Sequence, residues 1–248
     1  METGKQVLNE VLSELDYMGL SAMATELSRL YHAREFLQMD RLTLLRQIIG
    51  AEFEVKSGKK FANRLKKARL DGSPCDLRRC VNSREREYLP EGITAALGSL
   101  DFVEKGLNVC ILGPSDSGKS YLAKALAIQA CHSYRVCYTH CSAFAEEMVA
   151  LKGRDFEKYQ RKLRYYTNLD LMVLDDFLLH TITDESEIKV LFQLLEKRNE
   201  HSRSTIFCSQ LEPRSWASMM LNDEVSANAI LKRATKHYTV VINPRNSG

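Results

Sequence analysis

The most constraining feature of this sequence is a glycine-bounded loop that stands between a short apolar segment and a helical pattern. The segment Asn108–Leu112 is typical of a buried strand, and apolar residues recur at helical spacing over 118–131. Gly113 and Gly118 allow backbone turns that direct several N–H groups toward one point, which the positive end of the helix also faces. The eight residues from Gly113 to Ser120 therefore predict a phosphate-binding loop of the pattern G-x-x-x-x-G-K-[ST].

In this pattern the lysine and the following hydroxyl have separate tasks. Lys119 is expected to reach the β- and γ-phosphates of a nucleotide, and the Ser120 hydroxyl is expected to ligate Mg²⁺. ATP and Mg²⁺ are thus the predicted cofactors. The residues predicted to bind the nucleotide are Gly113, Pro114, Ser115, Asp116, Ser117, Gly118, Lys119, Ser120 and Tyr121.

The remainder of the chain alternates between strand-like and helical segments. This alternation predicts an α/β fold with a five-stranded parallel sheet flanked by helices. Ligands in such sheets bind at the carboxyl ends of the strands, so we expect the chemistry to follow residues 112, 174 and 209. Beyond the first strand and its helix, the predicted strands are Arg135–Thr139, Leu171–Leu174, Ser204–Ser209 and Tyr238–Ile242, and the predicted helices are 142–166, 184–200 and 222–234.

Polar residues follow two of these strands where the chemistry is expected. Asp175 is predicted to hold Mg²⁺, through water, and Asp176 to polarise the attacking water. A pair of helix N-cap residues is the alternative for these two acids, and the phosphate loop upstream favours the functional interpretation. Ser209 and Gln210 end the fourth strand, where a polar side chain can contact the γ-phosphate, although such residues are also ordinary in loops.

Basic residues are concentrated in two segments. Residues 56–86 contain 11 Lys and Arg against 3 acids, whereas residues 1–55 contain 5 against 9. Such a cluster either binds a polyanion or forms a solvated helix face. The same two alternatives stay open for a second run, predicted to contact DNA, that contains Lys152, Arg154, Lys158, Arg161 and Lys162.

The chain divides into regions of different composition. Residues 1–70 read as a helical N-terminal domain for partners or assembly, 71–92 as a linker with turn residues, and 93–248 as the ATPase domain. No apolar run approaches the roughly 18 residues of a membrane span, and the N-terminus has no apolar signal core. The seven cysteines have no disulfide-framework spacing. We therefore expect a cytoplasmic protein without a membrane partner.

These segments together resemble the IstB-like branch of the AAA+ ATPases, and the resemblance covers nearly the whole chain. This branch contains the ATP-binding helper proteins of insertion-sequence transposition and, more distantly, the DnaC-type helicase loaders. The sequences that carry the resemblance are GPSDSGKS at 113–120, LMVLDDF at 171–177, STIFCSQLEPRSW at 204–216 and ANAILKRATKHYTVVI at 227–242.

The resemblance implies an ATPase that self-associates into rings or helical filaments, with ATP at the subunit boundaries. Arg233 matches the arginine that one subunit presents to its neighbour's γ-phosphate, and Ser209 and Gln210 match the sensor position. The resemblance also implies binding to duplex DNA with little sequence preference and recruitment or activation of a cognate transposase. Two alternatives stay open: a loader of a replicative helicase, and an ATP-binding assembly scaffold with little hydrolysis.

Three departures from the family pattern bear on the rate of hydrolysis. Asp116 stands where the family usually has glycine, and Asp176 stands where many relatives have glutamate. The Gly-x-Ser-Tyr-Arg segment that the family usually carries does not follow Ile242. We therefore expect hydrolysis that is slow or stimulated by DNA.

Overall fold

The computed structural model describes residues 2–33, 36–221 and 223–245. Two compact units divide the chain between Asn63 and Arg64, inside the helix Arg41–Ala68. Across the described ranges, none of the helices is long and apolar enough to cross a membrane.

The first unit consists of helices. Its elements are α1 (Glu2–Tyr17), α2 (Ser21–Tyr31) and the first part of α3 (Arg41–Ala68). Gly19 turns the chain between α1 and α2 with a φ of 68°, a conformation that glycine adopts without strain. The buried carboxylate of Glu52 accepts hydrogen bonds from the N–H groups of Ala22 and Met23, at 3.0 and 3.2 Å. These bonds cap the start of α2 and fix it to α3.

The second unit is built on a sheet. Its strands, among the described residues, are β1 (Arg86–Leu89), β2 (Val109–Leu112), β3 (Val136–His140), β4 (Leu171–Asp175), β5 (Ser204–Ser209) and β6 (Tyr238–Pro244). Their order is β1-β6-β2-β5-β4-β3, and β2 to β6 are parallel. The α/β fold and its five parallel strands are confirmed.

The sheet contains one strand more than the sequence predicts. β1 lies in the segment 71–92, which we expected to be a linker, and pairs antiparallel with β6, with Tyr88 opposite Ile242. It has four residues, of which one is buried, and so short a segment does not display the alternation by which a strand is identified. The sheet is therefore mixed rather than wholly parallel, and β1 covers the edge of β6.

Helices flank the sheet. They are α4 (Ile93–Gly98), α5 (Asp101–Glu104), α6 (Lys119–Ala130), α7 (Cys141–Arg154), α8 (Phe156–Thr167), α9 (Glu185–Glu200) and α10 (Glu224–Thr235). The prediction of one helix over 142–166 is wrong, because the chain becomes extended at Asp155, with a φ of −153°. The carboxylate of Asp155 accepts the N–H of Lys158 at 2.9 Å, which starts a new helix.

A buried arginine, Arg198, ties α9 to the strands beneath it. Its side chain is almost fully enclosed, and burial lowers its pKa to about 9. The guanidinium donates to the carbonyl oxygens of Tyr166 and Leu169 at 2.6 and 3.0 Å. It also donates to the Thr205 hydroxyl at 3.0 Å and to the carbonyl of Ser204. These bonds join the approach to β4 with the start of β5, the two strands that end at the site.

Candidate functional site

The loop predicted to bind phosphate connects β2 to α6 and lies tightly against two neighbouring strands. Gly113 has a φ of 155°, and a Cβ there would lie 2.5 Å from the carbonyl oxygen of Ile242 on β6. Gly118 has a φ of 99°, and a Cβ there would lie 3.3 Å from Nη1 of Arg86 on β1. Gly113 requires glycine both for its backbone conformation and for the close approach of the β6 backbone, whereas Gly118 requires it for its backbone conformation, because a small shift of the Arg86 side chain would relieve the contact there.

Lys119 is the buried cation of this loop. Its side chain is only 5% exposed, and its ammonium donates to the carbonyl oxygen of Pro114 at 2.6 Å. Burial lowers the pKa of Lys119, while the nearby carboxylates of Asp175 and Asp176 oppose that change. A desolvated ammonium interacts with an anion far more strongly than one in bulk water. This arrangement suits a phosphate chain.

Three other residues of the predicted nucleotide site, Ser117, Asp116 and Tyr121, differ in their hydrogen bonds and backbone conformation. The Ser117 hydroxyl is buried and has no hydrogen-bond partner within the described part of the chain, so a ligand oxygen would satisfy it. Asp116 has a φ of 58°, a left-handed conformation that aspartate tolerates. The Tyr121 hydroxyl accepts the N–H of Asp76 at 3.1 Å, which fixes the first turn of α6.

Asp175 ends β4 with both carboxylate oxygens engaged. One accepts the hydroxyl of Tyr138 on β3, and the other accepts the N–H of Asp176 at 3.0 Å. The residue is 1% exposed. Each oxygen retains a lone pair, and a carboxylate fixed in this way fits Mg²⁺ held through water rather than directly.

Asp176 follows β4 in a left-handed conformation, with a φ of 51°. Its Oδ2 lies 3.0 Å from Nδ1 of His140, the last residue of β3. One ligand atom from each of His140, Asp175 and Asp176 lies within 4.8 Å of the others. The two carboxylates supply the oxygen donors that Mg²⁺ prefers, and the His140 contact fixes the orientation of the Asp176 carboxylate.

Ser209 and Gln210, the two predicted sensor residues, have different surroundings. Ser209 is fully buried, and its hydroxyl donates to the carbonyl of Phe177 at 2.9 Å and accepts the N–H of Leu211 at 3.2 Å. These bonds join the end of β5 to the segment after β4. Gln210 is half-buried and lines the cleft beside the loop. The Ser209 hydroxyl therefore holds the strand ends together, and Gln210 is available to a ligand.

The ends of β2, β4 and β5 meet at a single cleft of about 290 Å³. This is the edge at which parallel strands are expected to place a ligand. The cleft is lined by Ser115, Asp116, Gly118, Lys119, Ser120, Tyr121, Asp176 and Gln210.

Arg233 lies on α10 and is not among the residues that line the cleft. Its guanidinium is 3.7 Å from a carboxylate oxygen of Glu196 and lies over the ring of Phe192, 5.4 Å from the ring centre. Its side chain is 22% exposed. Arg233 is thus held against α9, at the surface of the second unit.

The basic residues predicted to contact DNA lie on α7 and α8: Lys152, Arg154, Lys158, Arg161 and Lys162. Lys158 is paired with Asp155 at 3.0 Å, and Lys162 with Glu147 at 2.8 Å. Among the described residues, neither arginine of the set has a carboxylate within 4.0 Å. Both arginines are exposed and can therefore reach a ligand.

Three residues at the site were not identified from the sequence. Tyr138 and His140 reach Asp175 and Asp176 because β3 pairs with β4, in a register that places His140 opposite Asp175. Arg86 reaches the loop from β1, inside the segment expected to be a linker. No local sequence pattern identifies these residues, because strand pairing brings them to the site. The one local signal is that Tyr138 and His140 stand two residues apart at the end of a strand, so that their side chains lie on the same face.

The phosphate loop after β2, the two acids at the end of β4 and the parallel strands of the sheet define a P-loop protein of the AAA+ class. The chain belongs to the family of IstB-like ATP binding proteins, which it matches over residues 13–247. It is 31% identical to an insertion sequence ATP-binding protein of Sinorhizobium fredii, over 90% of this chain and 88% of the relative. It is 30% identical to the ATP-binding protein of insertion sequence IS1162 of Pseudomonas fluorescens, over 81% and 85%. The predicted family is confirmed.

Solved structures share the fold over about two thirds of the chain. The crystal structure of the DnaC helicase loader has a TM-score of 0.55 at 16% identity, covering 69% of this chain and 98% of that chain. AMPPCP-bound DnaA from Aquifex aeolicus has a TM-score of 0.56 at 20% identity, covering 69% of this chain and half of that chain. Both confirm the predicted AAA+ fold.

Proposed function

We propose that this protein is an ATPase that assembles on duplex DNA and recruits or activates the transposase of an insertion sequence. One observation carries the proposal: a single cleft brings together the buried Lys119, the glycine-bounded loop and Asp176. This combination of an anion site and an acid is what phosphoryl transfer to water requires. The names of the relatives direct it to insertion sequences.

Binding of ATP rests on the loop. Its amide groups and Lys119 take the β- and γ-phosphates, and the Ser117 hydroxyl, which has no hydrogen-bond partner in the described part of the chain, supplies a further donor. The Ser120 hydroxyl and, through water, the carboxylate of Asp175 hold Mg²⁺. When bound, Mg²⁺ supplies a Lewis acid that neutralises charge on the phosphate oxygens.

Hydrolysis rests on the residues after β4 and β5. Asp176 orients the attacking water and accepts its proton, with its carboxylate held by His140. Gln210 contacts the γ-phosphate or the water, at a position fixed by the buried Ser209. We expect Arg233 of a second molecule to complete the site; in its own chain Arg233 contacts Glu196 and Phe192 on α9 and is not among the residues that line the cleft.

Duplex DNA binds the exposed face of α7 and α8. Arg154 and Arg161, which pair with no carboxylate among the described residues, supply the charge, and the exposed rings of Phe156 and Tyr165 lie on α8, 60% and 46% exposed. Arginine contacts to phosphate carry little sequence information, so the binding is weakly selective. Such binding weakens steeply with salt because counterions are released.

The test is the rate of ATP hydrolysis and the particle size, each measured with and without duplex DNA. We expect ATP and DNA together to produce large particles and the fastest turnover. Particles that form with ATP but never hydrolyse it would replace the ATPase with an assembly scaffold. A protein that stays monomeric under every condition would contradict the proposal.

A further inference from the structure

We propose that Arg86, on the edge strand β1, binds the α-phosphate end of the nucleotide. This inference rests on the proposed binding of ATP at the loop, and it adds a contact from outside the loop and the acidic strand ends. The observation behind it is the position of the Arg86 guanidinium against Gly118.

The guanidinium of Arg86 lies face-on to the phosphate loop. A Cβ built on Gly118 would meet its Nη1, Cζ and Nε atoms at 3.3, 3.5 and 3.6 Å. Three atoms of one planar group at nearly equal distances mean that the plane covers the glycine. The N–H donors of a guanidinium lie in that plane, so they point along the surface of the loop, where they can reach an anion.

The order of the strands shows which end of the nucleotide Arg86 meets. β2 has β5 and β4 on one side, and β6 and β1 on the other. Asp176 and Gln210 follow β4 and β5, so the γ-phosphate lies on that side of the loop. A phosphate chain that begins there and crosses the loop has its α-phosphate and nucleoside on the side of β1, where Arg86 lies.

Arg86 is available and firmly placed. Its side chain shares a hydrogen bond with the Tyr88 side chain, and among the described residues no carboxylate lies within 4.0 Å of its guanidinium. Its N–H donates to the Ser83 hydroxyl at 3.2 Å, which fixes the turn before β1. Arg245 anchors β1 in two ways. Its guanidinium donates to the Glu87 carboxylate at 2.6 Å, and its backbone N–H donates to the carbonyl oxygen of Glu85 at 2.8 Å. The strand that carries Arg86 is therefore fixed before the ligand arrives, which lowers the entropy cost of placing its guanidinium on a phosphate.

The cleft has more acidic than basic side chains, so a bound phosphate chain would be stabilised by a second cation. Among the described residues that line it, Lys119 is the one cation and faces two acids, Asp116 and Asp176. Asp116 stands inside the loop itself, so its carboxylate opposes a phosphate there. Arg86 does not itself line this cleft, and it adds positive charge from beside Gly118, on the β1 side.

Affinities of ATP and ADP for Arg86→Gln, measured by calorimetry on the full chain, test the inference. We expect both affinities to fall by the same factor, on the order of tenfold or more, because both nucleotides carry the α-phosphate and a charged hydrogen bond is lost. The turnover number at saturating ATP should stay near that of the unsubstituted protein while KM rises. Arg86→Lys, which keeps the charge, should recover part of the affinity.

The matched control is Arg84→Gln, which removes the same charge from an exposed residue just before β1. Equal affinities for Arg84→Gln and Arg86→Gln would overturn the inference, as would a loss confined to ATP. The inference would also be overturned if Arg86→Gln lowered the melting temperature of the nucleotide-free protein and Arg86→Lys did not restore it. The contact of Arg86 with the loop would then be structural. Lys119→Ala separates the two proposals: if it too binds ATP normally, the ATP site itself is wrong.

Discussion

The nucleotide cleft and the basic surface of α7 and α8 both present cations to a polyanion, but they present them differently. In the cleft, Lys119 is 5% exposed and its ammonium is fixed by a backbone carbonyl. On the surface, the Lys158 side chain is 64% exposed and its ammonium is already paired with Asp155. Coulomb attraction grows as water is excluded, so one desolvated cation outweighs several solvated ones.

This difference predicts two patterns of response to mutation. In the cleft, each group has a fixed position and a distinct task, so single substitutions should have large effects on one step. On the surface, each cation contributes a small amount that salt screens, so effects should be modest and should add. The following predictions, from the largest effect to the smallest, test that contrast.

Arg233→Ala should lower the rate of ATP hydrolysis by a factor on the order of 10³–10⁵ while ATP binding stays nearly normal, since an arginine at the γ-phosphate supplies a factor of that order. The rate should rise when Arg233→Ala and Lys119→Ala proteins are mixed, because some interfaces then join an intact loop to an intact arginine. Turnover assays with DNA present measure this.

The neighbouring Lys232→Ala is the control, because Lys232 is an exposed cation one residue away. Its rate should match that of the unsubstituted protein. A mixture that stays at the level of the separate mutants, while the unsubstituted protein forms large particles, would remove Arg233 from the neighbour's site.

Asp176→Asn should lower turnover by a factor on the order of 10²–10⁴, the usual contribution of a general base. Binding of ATP should persist, because the loop is unchanged. Asparagine is the informative replacement, since it tolerates the left-handed backbone seen at a φ of 51° and leaves only the charge altered. Single-turnover hydrolysis and an unchanged melting temperature check this; turnover at the original rate would exclude Asp176 as the base.

The double variant Arg154→Gln/Arg161→Gln should weaken DNA binding only several-fold at moderate salt. Its log–log salt dependence should become shallower by about 0.9 for each phosphate contact that is lost. The control, Lys105→Gln/Lys189→Gln, removes the same charge from exposed lysines on α5's end and α9. If both double variants keep the original slope in fluorescence anisotropy titrations, the DNA site lies elsewhere, with the segment 56–86 as the next candidate.

Part of that segment is engaged in the structure. Arg64 donates to the carbonyl oxygens of Cys131 and His132 at the end of α6, at 3.2 and 2.5 Å. Arg78 pairs with Asp76 at 2.7 Å. Arg64 is thus engaged by the C-terminus of a helix, and Arg78 by its own turn. Lys66 and Lys67, at the end of α3, are exposed, so a polyanion can reach them.

How far the sequence predicts the site depends on how local each part is. The loop from Gly113 to Ser120 is contiguous, so its spacing alone identifies it, and the strand before it sets its place in the fold. The contacts of Tyr138, His140 and Arg86 depend on which strands pair and in which register. Short-range patterns do not encode these pairings, which is also why β1 was expected to be part of a linker.

The break between two helices at Asp155 and the burial of Arg198 are two further features that local sequence patterns do not predict. In the sequence Asp155 interrupts a basic run, and only its capping bond to Lys158 reveals that a helix begins there. In the sequence Arg198 resembles an exposed helix charge, yet its guanidinium donates to the carbonyl oxygens of Tyr166 in α8 and of Leu169 before β4. A buried charge of this kind depends on partners far along the chain, which no local pattern reports.

The central claim is that the loop and its buried lysine bind ATP in this chain. The most direct measurement is an equilibrium titration of the protein and of Lys119→Ala with a fluorescent ATP analogue and Mg²⁺, with circular dichroism to verify the fold of the variant. We predict tight, saturable binding by the unsubstituted protein and a loss of at least about two orders of magnitude in affinity for the variant, since a desolvated charge contact is removed. Equal affinities for the two folded proteins would contradict this account.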